Sequence, residues 1–207
     1  MAEIIIHTVS MSPYGWTARI LAAEKGVAFD TVHADVASPG YEHLHPFRKM
    51  PVLTHGEIVV YESLAIAHYI DRAFDGPALQ PSDVLGQAEA LTWVSVVNAY
   101  MFPTMNGLVK QRFAMATGGE ANEAALAELR EPLAGQLALI EAAVSVRPFL
   151  VGHAFTIADA FLMPQLHYAT FTPEGLDALA AAPATEAWLE QMRARPCVAA
   201  TNPLGGG

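Results

Sequence analysis

The run I-I-I-H-T-V at residues 4–9 is followed at once by Ser12-Pro13, a helical stretch to about Lys25, and Gly26. An uncharged apolar run of this length reads as a buried strand. Serine at the cap, proline at the first helical position and glycine just past the last turn suit a helix at both ends. The serine oxygen satisfies an orphan N–H, the proline ring is pre-set in helical φ, and the glycine enters the left-handed region without a Cβ clash. Residues 27–34 read as a second strand. Strand, helix and strand within 34 residues require a crossover that leaves the two strands parallel. The loop at residues 10–13 then lies at the carboxyl end of a parallel pair, where ligand sites of α/β sheets gather.

Residues 35–50 hold Pro39, Gly40 and Pro46 and read as loop with one helical turn. Pro51-Val-Leu-Thr, then His55-Gly56, then residues 58–61 read as a hairpin. Ser63 is expected to cap a helix that runs to about Phe74. Beyond it, D-G-P-A-L-Q-P at 75–81 is a linker, and the long segments that follow read as helix: 83–116, 121–145, 156–171 and 184–194. Gly118-Gly119, Arg147-Pro148 and Pro173 separate them, and Pro103 is expected to kink the first. Gly205-Gly206-Gly207 reads as a frayed tail. The expected domains are residues 1–76, a linker at 77–84, and an all-helical domain at 85–207.

Composition removes several function classes. Hydrophobic residues make up 53% of the 207 and charged residues 15%, as in an ordered globule. The net charge is −10 and the eleven basic residues form no run, which argues against nucleic-acid binding and an acidic membrane surface. Cys197 is the one cysteine, so no intrachain disulfide or cysteine metal site can form. Of eight histidines only His43 and His45 are close, and no metal-binding motif accompanies them. No metal is expected. The amino-terminal residues lack the basic segment and long apolar run of a signal peptide, and no window of about 18 apolar residues occurs. A cytoplasmic location is the resulting expectation.

The chemistry centres on Ser12-Pro13-Tyr14-Gly15. A helix N-terminus carries unsatisfied N–H groups and about half a positive charge. A thiol of ordinary pKa near 8.5 needs on the order of 2 kcal/mol to ionise below pH 7. One hydroxyl hydrogen bond to the anion supplies about 1.5–3 kcal/mol, and the helix end adds about 0.3–1. Ser12 can therefore stabilise a thiolate without a general base, or it can serve as an N-cap alone.

Three segments together resemble the cytosolic glutathione transferase family, over nearly the whole chain. S-P-Y-G looks like the C-P-Y-C of glutaredoxins with both cysteines lost. The longer S-P-Y-G-W-T-A-R-I-L is similar to serine-type, zeta-like and phi-like members, here of bacterial kind. H-P-F-R-K-M-P-V-L at 45–53 is similar to N-P-x-G-K-x-P-x-L, with His45 and Arg48 standing where Asn and Gly are common. Y-E-S-L-A-I-A-H-Y-I at 61–70 is similar to E-S-x-A-I-x-x-Y-L. F-T-I-A-D-A-F at 155–161 matches a folding motif of the helical domain, with Thr156 and Asp159 as a capping-box-like pair.

The resemblance implies an α/β thioredoxin-like N-terminal domain followed by an all-α C-terminal domain, and a homodimer. Ser12 would donate to the glutathione thiolate, with Ser10 as a rival. Lys49 would meet the glycine carboxylate and Met50, before a cis Pro51, the cysteinyl backbone. Glu62 would hold the γ-glutamyl ammonium and Ser63 its carboxylate. Ser10, Tyr14, Tyr100, Met101, Met105 and Arg112 are candidates for an acceptor pocket. Trp93, Phe102 and Phe113 share the long helix, where such a stripe also reads as core. The implied activity joins glutathione to a small hydrophobic electrophile. An isomerase of maleyl-type acids, with Arg48, Arg112 or Arg19 serving the acid, and a non-catalytic binding module are the alternatives.

Overall fold

A computed structural model describes residues 3–120 and 122–205. Met1, Ala2, the start of the helix expected at 121, and Gly206-Gly207 of the expected frayed tail lie outside them. The chain forms two compact units: one runs to Gln80 and resumes at Ala194, and the other comprises Pro81–Arg193. The last segment, grouped with the helices from sequence, belongs by its contacts to the first unit.

The first unit contains β1 (Ile4–Thr8), α1 (Pro13–Glu24), β2 (Asp30–His33), β3 (Val52–His55), β4 (Ile58–Tyr61) and α2 (Ser63–Ala73). The sheet order is β2-β1-β3-β4, with β1 and β2 parallel and the other pairs antiparallel. This is the thioredoxin-like arrangement. β1 alternates between buried and half-buried residues, while all four residues of β2 are exposed at the sheet edge. Ile6, Trp16, Ile20, Leu21, Leu53, Ile66 and Ile70 are fully buried.

Helix α1 begins and ends as its residues dictate. Ser12 caps it, Pro13 opens it, and Gly26 follows Lys25 with φ 74°. Gly15 faces Thr8 so closely that a Cβ would overlap the threonine hydroxyl. A short helix absent from the sequence reading, Pro196–Thr201, packs on α1. Trp16 Nε1 donates to Thr201 Oγ1 at 3.0 Å, and Arg195 pairs with Glu24. Near the end of α2, the nearly buried Lys25–Asp71 pair also receives Leu79 N–H on Asp71 at 2.8 Å.

The second unit contains α3 (Val84–Val96), α4 (Phe102–Ala116), α5 (Glu123–Val144), α6 (Ile157–Ala169), α7 (Pro173–Ala180) and α8 (Pro183–Arg193); Pro196–Thr201 of the first unit is α9. A π-helical turn, Val97–Met101, joins α3 to α4 immediately before Pro103. It carries the longer bond from Phe102 N–H to Val97 C=O, the adjustment a helix makes when proline cannot donate to the ladder. One outcome differs from the sequence reading: Pro173 opens α7 instead of only separating helices. Pro132 and Pro164 sit inside α5 and α6, within the helices expected at 121–145 and 156–171.

Helix α6 is buried along its entire length, and Asp159 organises its start. The capping box forms: Thr156 Oγ1 accepts Ala158 N–H, and Asp159 Oδ2 accepts Thr156 N–H at 2.9 Å. Asp159 Oδ1 accepts Leu150 N–H at 2.9 Å and Trp188 Nε1–H at 3.2 Å. Burial pushes its pKa up to about 6, although every hydrogen bond pulls the other way. Asp159→Ala strands several buried donors and is expected to cost about 3 kcal/mol or more. Urea denaturation followed by tryptophan fluorescence checks this; a loss under about 1 kcal/mol, the worth of a single ordinary bond, would contradict it.

Candidate functional site

Strand register brings the candidate segments of the first unit to one place. His7 pairs with Val52, and Val52 pairs with Tyr61, so these residues form one row across the sheet. One step beyond that row, β1 leads to the loop holding Ser12, β3 is entered from Pro51, and β4 exits into Glu62. The three motifs therefore meet at one sheet end. An open depression of about 640 Å³ lies toward the opposite end, lined by Ile4, Lys25, Phe29, His55 and Phe74 among others, and gathers none of the candidate residues.

Ser12 is half-buried, and its Oγ accepts Gly15 N–H at 3.1 Å. A hydroxyl accepts through its lone pairs and still has one O–H to donate. Capping and donation to a ligand anion are thus compatible at this one atom. Ser10 is exposed, and its carbonyl accepts from Arg19 at 3.0 Å. Tyr14 is half-buried, and desolvation raises its phenol pKa, so it stays a neutral donor.

The loop before β3 is fixed from within. Tyr41, buried against Ala34 and Val52, donates its hydroxyl to Lys49 C=O at 3.0 Å. Arg48 has φ 49° in the left-handed region, and its guanidinium pairs with Glu42 at 2.7 Å. Both side chains of this pair are solvent-exposed. Lys49 is exposed, and the Met50–Pro51 bond is cis.

At the end of β4, the N-cap of α2 is Glu62, and Ser63 is the first helical residue. The expectation of a Ser63 cap is thereby corrected. Glu62 takes φ 69° and makes no side-chain cap bond, so the first N–H groups of α2 are left without a side-chain cap. The buried His45 stands 3.6 Å from Glu62 through Nε2. His45, Tyr41 and Gly15 were not singled out as site residues from sequence. Only the departure of His45 from the motif gave a signal.

In the second unit, Tyr100 is exposed, whereas Met101 and Met105 are fully buried and serve as core. Arg112 is bound to Glu174 and also faces Glu123 at 3.6 Å. Among the described residues, no group of three or more His, Cys, Asp or Glu could hold a metal, and no helix is long and apolar enough to cross a membrane.

Residues 6–78 match the family described as glutathione S-transferase, N-terminal domain, and residues 89–196 that described as glutathione S-transferase, C-terminal domain. Glutathione S-transferase 3 of Zea mays is 32% identical over 206 residues, 95% of this chain and 91% of that protein. Glutathione S-transferase F9 of Arabidopsis thaliana is 30% identical over 159 residues, 73% of this chain and 74% of the relative. The solved apo form of glutathione S-transferase III is 30% identical, with a TM-score of 0.89 over 100% of both chains.

Within the helical unit, the hydrogen bond from Arg112 draws the Glu174 carboxyl down to about 2, against desolvation, with help from Arg130. A depressed carboxyl contributes stability that is complete above its unfolded pKa near 4.5 and is lost as pH falls toward 2. Acid unfolding should therefore steepen between those values, and Glu174→Gln should flatten it there. Identical slopes for the two proteins in an acid titration of circular dichroism would contradict the assignment.

Proposed function

The chain belongs to the glutathione S-transferase family and joins glutathione to electrophiles; from that premise we propose a serine-type enzyme in which Ser12 donates to the glutathione thiolate. The observation that carries the reading is the row His7–Val52–Tyr61, which sets the Ser12 loop, the cis Met50–Pro51 bond and Glu62-Ser63 side by side. Glutathione lies across that sheet end. Ser12 uses its remaining O–H, and the amino end of α1 adds a partial positive charge. Met50 pairs by its backbone with the cysteinyl unit, as a peptide adds to a strand. Lys49 meets the glycine carboxylate, Glu62 the γ-glutamyl ammonium, and Ser63 with the uncapped N–H groups of α2 the γ-glutamyl carboxylate. The thiolate then attacks the electrophilic carbon of a small hydrophobic acceptor, a C–S bond forms, and the leaving group departs with its electron pair.

Conjugation is favoured over isomerisation of maleyl-type acids by the state of the arginines. Arg48 is held by Glu42, Arg112 by Glu174, and Arg19 donates to the Ser10 carbonyl. A dicarboxylate acceptor would need one of them released. A homodimer and a cytoplasmic location complete the proposal; Phe47, 73% exposed, supports an apolar contact with a second copy.

Ser12→Ala removes one hydrogen bond to an anion, so kcat/KM with chlorodinitrobenzene should fall roughly ten- to hundredfold. The glutathione KM should change little, because most of its contacts lie on the other two segments. Ser10→Ala should stay within about twofold of the parent, the scatter of an uninvolved surface site. Unchanged turnover in Ser12→Ala, or the loss appearing in Ser10→Ala instead, would overturn the Ser12 role.

A further inference from the structure

His45 is a buried polar ring in an otherwise exposed stretch of loop, with 2% of its side chain accessible. Phe47 N–H donates to its Nδ1 at 3.2 Å. A nitrogen that accepts carries no proton, so the ring proton lies on Nε2. Nε2 is the atom turned toward Glu62 Oε1, at 3.6 Å. The Tyr61 ring, 4.9 Å away, holds the imidazole from the side.

Glu62 needs such support. Its φ of 69° is a conformation that non-glycine residues adopt only when surroundings enforce it, at a cost on the order of 1–3 kcal/mol. Its side chain is 65% accessible and makes no cap bond. A carboxylate on a flexible, exposed stem loses rotamer freedom whenever it engages a ligand. Among the described residues, His45 is the one basic side chain paired with it.

We propose that His45 is a positioning residue for glutathione capture: its Nε2 faces one oxygen of Glu62 at 3.6 Å and biases the carboxylate toward the place where the γ-glutamyl ammonium binds. This rests on the reading of Glu62 given above. The loop that carries the glycine and cysteinyl contacts, Lys49 and Met50, is thereby coupled to the γ-glutamyl contact at the end of β4. Preorganisation of this kind acts on affinity, since it lowers the ordering cost of binding and leaves the reacting sulfur alone.

Calorimetry with two ligands separates this role from general support of the fold. One is glutathione; the other is its desamino analogue, in which hydrogen replaces the γ-glutamyl ammonium. His45→Ala should weaken glutathione about three- to fivefold, less than a formed charged hydrogen bond would supply, and leave the analogue unchanged. Its kcat at saturating glutathione should stay near the parent value. In a Glu62→Gln background, His45→Ala should have no further effect on glutathione affinity. Equal loss for both ligands, no loss for glutathione, or additive losses in the double variant would each overturn the proposal. If the parent binds no glutathione, the functional reading itself falls; if the parent binds and His45→Ala binds equally well, only the role of His45 falls. Nitrogen NMR of the parent protein tests the geometry without any variant: the proton is expected on Nε2 alone, and protonated Nδ1 would overturn it.

Discussion

Everything at the candidate site depends on the amino end of α1 being held against β1. A hydroxyl and a helix end stabilise an anion only if they stay where the anion will be. Gly15 allows the close approach, because a side chain there would overlap Thr8. Trp16 fixes the next position through Thr201, and Ser12 ties the first turn through Gly15 N–H. The thiolate needs only about 2 kcal/mol, within reach of one hydroxyl and one helix end, provided neither has to reorganise. Support for α1 therefore matters more to the chemistry than any added base.

The sheet extends this constraint to the rest of glutathione. Antiparallel pairing of β3 with both β1 and β4 sets Pro51 and Glu62 beside the Ser12 loop without long connections. Each neighbouring segment then carries its own brace. Tyr41 holds the Lys49 carbonyl, Glu42 pairs with the Arg48 guanidinium, and His45 faces Glu62. Two non-glycine residues with positive φ, Arg48 and Glu62, sit on either side of the cis bond in sequence. Backbone outliers gather where surrounding contacts over-determine the chain, and here those contacts surround the proposed ligand.

Local rules made much of this legible from sequence. The ends of α1, the crossover to a parallel β2, the hairpin, and the Thr156–Asp159 box all follow from residues a few positions apart. The unread features need partners far along the chain or run against propensity. Pro196–Thr201 has too few residues to show a helical period, and only its contacts with α1 explain it. Pro173 was a separator by composition but is the first residue of a helix capped by Thr172. Ser63 looked like a cap because serine prefers that place; Glu62 takes it through a backbone angle that propensity disfavours. Arg112 read as a ligand cation, yet its partner Glu174 lies 62 residues away. Met101 and Met105 fitted both pocket and core, and burial assigns them to the core.

The most direct measurement of the central claim is the titration of the enzyme-bound glutathione thiol, followed by thiolate ultraviolet absorbance, in the parent and in Ser12→Ala. The account predicts ionisation at or below about pH 7 in the parent and a return toward about 8.5, the range of a free thiol, in the variant. A bound thiol that titrates near 8.5 in both proteins, or below 7 in both, would contradict it.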